Sequence, residues 1–191
     1  MPARRPLPIL VIALAALLGC GRGEQGKESL ASRLRVPGQP DVAFHTTPDP
    51  VVLKMLELAE VRADDVVYDL GCGDGRIPIA AAKKYGAKAV GIEIDPAVVA
   101  QARDNVKAND IGHLVTIREG DIFAEDFGDA TVVLLYLLPN LNEELLPKLR
   151  KLKTGARVVS HSFPMKGAKP ERVEQFLGKK LLLWRVPIQP E

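Results

Sequence analysis

Apolar and polar positions follow two rhythms along this chain, and the changes of rhythm mark its elements. An almost purely aliphatic run, Leu7–Leu18, comes first. A polar, glycine-rich stretch follows from Gly21, with no sustained period. From Thr47 onward, helical spacing and short β-branched runs take turns. Val51, Val52, Met55, Leu56 and Ala59 recur at helical spacing behind Thr47-Pro48-Asp49, a helix start that tolerates proline in its first turn. Asp65–Leu70 (DVVYDL) reads as a buried strand, and Arg76–Tyr85 as an alanine-rich helix. Ala89–Ile94 is predicted as a second strand, and Pro96–Asn109 as a helix with Asp95 as its N-cap. Leu114–Glu119 is a third strand. Thr131–Leu138 (TVVLLYLL) is the most apolar, so a central strand covered on both faces is expected. Asn140–Leu152 is a helix kinked at Pro147, and Ala156–Phe163 a fifth strand. Val173–Leu177 and Leu181–Val186, joined through Gly178-Lys179-Lys180, form a closing hairpin. Strands separated by helical patterns predict a doubly wound α/β fold with a mostly parallel sheet. Ligands of such sheets bind beyond the carboxyl ends of the strands, where the strand order reverses.

The first residues do not belong to that pattern. MPARR is basic, and the apolar run after it is about twelve residues long. That length suits the core of a signal peptide and falls short of the roughly 20 residues that span a bilayer. Leu17-Leu18-Gly19-Cys20 resembles a bacterial lipobox, which implies cleavage before Cys20 and lipid attachment there. The expected organisation is a signal peptide over 1–19, a flexible tether over 20–46 and a folded domain over 47–191. Ser29–Arg35 is the one stretch of the tether with a helical look. The expected address is the bacterial cell envelope, anchored to a membrane through Cys20. An uncleaved anchor, or a cytoplasmic protein whose N-terminal segment is not a working signal, are the alternatives.

Composition narrows the function classes. The 191 residues carry 26 basic and 24 acidic side chains, a formal charge of +2. Arg4 and Arg5 account for the excess, so the domain is electrically balanced and lacks the basic footprint of a nucleic-acid binder. Two cysteines, Cys20 and Cys72, make neither a disulfide framework nor a metal cluster.

The chemistry sits at the strand ends. The first strand runs into Asp69-Leu-Gly71-Cys72-Gly73-Asp-Gly75, with a helix immediately after. Glycines there let the backbone turn tightly and approach a ligand, and the helix N-terminus suits a carboxylate or phosphate. A dinucleotide fingerprint would need glycine where Arg76 stands. Asp69 would repel a pyrophosphate, but suits a ligand bearing an ammonium group. Cys72 is read as a small filler in this loop rather than a nucleophile. The second strand ends at Glu93-Ile94, where a carboxylate can hydrogen-bond both ribose hydroxyls. Asp121-Ile122 follows the third strand, and Asp121 can accept from an exocyclic amine such as that of adenine. His161 lies at a pocket-side strand end and is read as a loop histidine rather than a base, and His45 and His113 as surface residues.

Taken in order on successive strand ends, these pieces resemble the class I, seven-β-strand S-adenosylmethionine-dependent methyltransferases over about residues 45–187. The resemblance implies a Rossmann-like seven-stranded sheet with an antiparallel last strand and S-adenosyl-L-methionine as cofactor. DVVYDLGCGDGRIPIAAA, ATVVLLYLLPNLNEELLPKLRKLKTGARVVSHSF and LLLWRVP are similar, more narrowly, to bacterial relatives of the FAM173 family of protein-lysine N-methyltransferases. That family's threonine-proline pre-motif is matched by Thr47-Pro48. The N/D-P-P-Y clamp of nucleobase and glutamine methyltransferases is absent; Tyr136-Leu137-Leu138-Pro139-Asn140 stands in its place.

The resemblance implies that Thr47, Asp69, Gly71, Cys72, Gly73, Gly75, Glu93, Ile94, Asp121 and Ile122 hold the cofactor. Tyr136, Leu137, Pro139 and Asn140 would line the acceptor channel, with Tyr136 orienting the acceptor. A lysine side chain of a protein is the implied substrate, taken by a monomer that binds no nucleic acid and no metal. A lysine of pKa near 10.4 must lose a proton before it attacks, and a desolvating channel lowers that value without a dedicated base. A small-molecule or lipid methyltransferase, or a tethered domain that binds the cofactor without turnover, are the alternatives.

Overall fold

Why these residues form a layered sheet is clearest from the alternation inside its strands. The computed structural model describes residues 46–191. The signal-peptide, tether, Cys20, Ser29–Arg35 and His45 readings lie outside them. The elements are α1 (Asp49–Leu58), β1 (Val66–Leu70), α2 (Arg76–Tyr85), β2 (Lys88–Glu93), α3 (Pro96–Ala108), β3 (Val115–Glu119), β4 (Val132–Leu135), α4 (Pro139–Leu149), β5 (Arg157–His161), β6 (Arg172–Phe176) and β7 (Lys179–Arg185). The strands form one seven-stranded sheet in the order β3-β2-β1-β4-β5-β7-β6. All pairs are parallel except β5–β7 and β6–β7, so β7 is the strand that runs against the rest.

Successive side chains of a strand point to opposite faces, and two cores result. Val67, Val132, Leu134 and Val159 pack with α1, α2 and α3 on one face. Tyr68, Leu70, Val133, Leu135, Val158 and Trp184 pack with α4 on the other. All four residues of β4 are buried, as expected of a strand covered on both sides. β1 and β4 are neighbours, yet the chain goes outward through β2 and β3 between them. The order reverses there, which places the ligand crevice at the carboxyl ends of β1 and β4.

Several boundaries shift by a residue from the sequence reading, and four departures have a clear physical cause. β4 ends at Leu135 instead of Leu138, because the chain must leave the sheet to enter α4 at Pro139, which has no N–H for a ladder. α4 ends at Leu149, two residues after Pro147, rather than running to Leu152. β5 stops at His161, because Ser162 takes a left-handed φ of 69° and Phe163 N–H turns back to His161 O at 2.9 Å. Lys179 and Lys180 belong to β7, because the hairpin turn is the two residues Leu177 and Gly178, both left-handed. Asp95 caps α3 as expected, its Oδ1 accepting from Ala97 N–H at 2.8 Å.

Candidate active site

The glycine loop is held by the strand beside it. Gly71 and Cys72 N–H both donate to Ile92 O, at 2.9 and 3.0 Å. Gly71 has φ 80°, and a Cβ there would meet Leu137 Cδ2 at 3.0 Å. The loop after β1 and the segment after β4 therefore touch across the crevice. Cys72 is buried, and its Sγ occupies the space where a Cβ on Gly91 would stand, 2.5 Å away. Burial, then the carboxylates of Asp69 and Glu93, push its thiol far up, so it is a filler and not a nucleophile.

Glu93 ties the loop to the end of β2. Its Oε2 accepts from Gly73 N–H at 3.0 Å, and its Oε1 from Ile94 and Asp95 N–H at 2.8 and 3.1 Å. Asp74 is clamped by Arg76, with Nε to Oδ1 at 3.0 Å and Nη2 to Oδ2 at 2.6 Å. Burial opposes ionisation of Asp74, but the guanidinium more than offsets it and holds the carboxyl below its usual range. Arg76 Nη1 also donates to Thr47 O at 3.0 Å. The residue that breaks the dinucleotide pattern is thus a bracket, fixing the lead-in of α1 to the glycine loop. Nothing in its sequence position announced that role.

Asp69 is different from these satisfied acids. It is 2% exposed, and its Oδ2 has no hydrogen-bond partner among the described residues. Burial, then the charges of Glu93 and Asp74, raise its pKa to about 8. A buried carboxyl facing two more carboxylates calls for a cation. S-adenosylmethionine carries an ammonium and a sulfonium, so the donor set fits it and would disfavour a pyrophosphate.

Asp121 sits at the end of β3 and accepts Phe123 N–H on Oδ1 at 2.9 Å, so it shapes its own turn. That turn is braced from α4 by Lys148, whose Nζ donates to Phe123 O at 2.9 Å and Glu125 O at 2.6 Å, with Ile122 O at 3.4 Å. Sequence reading missed Lys148, because a lysine on a helix looks like any solvated charge.

On the acceptor side, Tyr136 is half-buried and Leu137 buried, whereas Leu138, Pro139 and Asn140 are exposed at the start of α4. His161 stands at the strand end where the sequence placed it, but it is a buried residue of the sheet rather than a loop histidine. It is the last residue of β5, 1% exposed, with its ring stacked on Tyr136 at 4.0 Å. Its Nδ1 lies 3.5 Å from Thr47 Oγ1. Burial, then the charge of Lys179, lowers its pKa to about 4. Thr47 does not cap its helix; α1 has no side-chain cap, and the Thr47 hydroxyl faces His161 instead. Asn142 and Ser160 were also missed. Both donate to Phe163 O, at 3.2 and 2.7 Å, and pin the turn behind His161.

This arrangement on successive strand ends is matched by the family model of the ANTKMT methyltransferase domain over residues 69–172. The chain belongs to the ANTKMT methyltransferase family, within the class I S-adenosylmethionine-dependent methyltransferases. A protein-lysine N-methyltransferase of Saccharolobus islandicus (strain REY15A) is 49% identical over 136 residues, which cover 70% of this chain and 84% of that protein. A lysine N-methyltransferase from Xenopus laevis, named for an ATP synthase component, is 33% identical over 145 residues, 75% of this chain and 62% of that protein. Among solved structures, an RNA methyltransferase from Salinibacter ruber in complex with S-adenosyl-L-homocysteine superposes with a TM-score of 0.73 and 50% identity. That match covers 74% of this chain and 94% of the other. The methyltransferase fold and the expected sheet with its antiparallel strand stand, and the matched span of this ANTKMT-family protein contains every strand-end acid described above.

Proposed function

We propose that this protein methylates the ε-amine of a lysine in a protein substrate, using S-adenosylmethionine. The observation that carries the cofactor is the unpartnered Oδ2 of buried Asp69 at the mouth of the glycine loop. Asp69 would accept from the ammonium of the methionine part, and the loop backbone from Gly71 to Gly75 would enclose it. Glu93 accepts three backbone N–H groups and keeps capacity for ribose hydroxyls, since two carboxylate oxygens offer about four acceptor sites. Asp121 and Ile122 would hold the adenine. When bound, the cofactor supplies a methyl group already activated by its sulfonium. The protein's share is position and electrostatics. Thr47, Tyr136 and His161 make a neutral, water-poor wall, which favours the uncharged form of an incoming amine.

The lysine acceptor is supported by the two relatives named as lysine N-methyltransferases and by the missing N/D-P-P-Y clamp after β4. RNA is the second reading, because the Salinibacter ruber protein is named an RNA methyltransferase. Incubation with methyl-labelled S-adenosylmethionine and separate protein and RNA fractions discriminates them. Label in protein, recovered as methyl-lysine after hydrolysis, is expected; label confined to RNA would overturn the lysine reading.

For the N-terminal residues we propose lipid attachment at Cys20 and an envelope location, on the strength of the basic start, the short apolar run and the lipobox-like end. A labelled fatty acid should enter the wild-type chain and not Cys20→Ala. Recovery of unlabelled protein in the soluble fraction would sink this address. Cofactor supply outside the cytosol is the demand that such an address makes.

A further inference from the structure

The roles assigned so far leave the ring nitrogens of His161 without a task. Much of the local structure exists to hold that ring. Tyr136 stacks on its face at 4.0 Å and 30°. Thr47 Oγ1 faces Nδ1 at 3.5 Å. Ser162, left-handed at φ 69°, donates its N–H to Lys180 O at 2.7 Å, and Phe163 N–H turns back to His161 O. Ser160 and Asn142 then fix Phe163 O. Yet Nε2 is buried and has no hydrogen-bond partner among the described residues. Buried polar atoms without partners are costly and rare in folded proteins. A phenylalanine would stack on Tyr136 as well and leave no such atom. Burial also keeps the imidazole neutral, its pKa lowered to about 4. In the tautomer that directs Nδ1–H at Thr47, the lone pair is on Nε2, in the ring plane and away from the face that Tyr136 covers.

We infer that His161 orients the methyl-accepting amine: its Nε2 accepts one N–H of the acceptor nitrogen at the end of β5, beside Tyr136. The inference rests on the amine-methylation reading above and adds to it the residue that recognises the amine. His161 gains no proton in this role. By engaging one N–H, it fixes the direction of the nitrogen's lone pair. With Nδ1–H directed at Thr47 Oγ1, the segment bracketed to the glycine loop by Arg76 also meets the His161 ring.

The test uses the full chain and two ligands that need no turnover. S-adenosylhomocysteine lacks the methyl group. Sinefungin carries an amine on the carbon that replaces the methylated sulfur, so it places N–H groups at the position of the transferred methyl, pointing toward where the acceptor nitrogen works. Calorimetry should show wild-type protein preferring sinefungin by about tenfold, the scale of one charge-assisted hydrogen bond. His161→Phe, which retains the stack, should lose that preference while keeping its affinity for S-adenosylhomocysteine within about twofold. His161→Gln should restore part of it. The Nε2 resonance of His161, followed by 15N NMR in wild-type protein, should move with sinefungin and not with S-adenosylhomocysteine, a readout independent of how the variants fold. A preference that persists in His161→Phe, an equal loss of both ligands, or an unmoved Nε2 resonance would overturn the inference. Wild-type protein that binds neither ligand overturns the cofactor reading itself, and this one with it.

Discussion

Asp69 and His161 are both buried, and burial acts on them in opposite directions. For Asp69 the folded-state pKa of about 8 lies above its ordinary value. The folded protein holds a proton there that the unfolded chain would release. Asp69's stabilising share is therefore full below about pH 4 and is lost as the pH rises through about 8. Thermal melts of wild type should fall along this alkaline limb, and Asp69→Asn should flatten it. For His161 the folded value of about 4 lies below the ordinary one. Its share is full above about pH 6.5 and is lost as the pH falls toward 4, so His161→Phe should flatten the acid limb in the same melts. Asp69→Ala should weaken S-adenosylhomocysteine binding by about tenfold or more, because the ligand ammonium loses its carboxylate. An unchanged dissociation constant would remove Asp69 from the site.

Two braces decide how well the strand-end turns are held. Gly91 in β2 leaves room for Cys72, whose Sγ and Cβ lie 2.5 and 2.8 Å from where a Cβ would stand. Gly91→Ala should cost about 1–3 kcal/mol in urea unfolding, the scale of core overpacking, and Cys72→Gly should recover part of it in a double-mutant cycle. Lys148 reaches from α4 to the 122–125 carbonyls. Lys148→Met should raise KM for S-adenosylmethionine several-fold with little change in kcat, and arginine at that position should rescue part of the loss. The helix that follows the glycine loop was legible to its last residue, because alanines, Gly86 and the flanking strands all agree. β4 and β5 were read too long, because an apolar pattern continues past the residue where the chain bends. The turns out of the sheet after Leu135 and at Ser162 are what bring Tyr136 and His161 together.

Across the molecule, the site and a main stabilising network lie at opposite edges of the sheet. At the amino-terminal edge, Arg157 of β5 pairs with Asp65, and Thr131 Oγ1 donates to Asp65 Oδ1 at 2.6 Å. Arg157 also donates to Ala59 O and Glu60 O, at 3.1 Å each. Removing one partner of a well-buried pair leaves the other charge uncompensated. Asp65→Ala should cost about 3–5 kcal/mol in urea unfolding, yet leave S-adenosylhomocysteine affinity unchanged while the protein is folded. A parallel loss of affinity would show that the two edges are coupled.

The sequence by itself determined the α/β alternation, the glycine loop and the acids at the ends of β1, β2 and β3. These signals are local: periodicity, glycines before a helix, a charge at the end of an apolar run. It also carried the family likeness, since those residues stand in order on successive strand ends. Only the tertiary structure decided which acid lacks a partner, because Asp74 and Glu93 are satisfied by Arg76 and backbone N–H groups while Asp69 is not. It alone brought Thr47 to His161 across 114 positions and laid Tyr136 on the same ring. Burial and pairing depend on neighbours distant in the chain, and no local pattern records them.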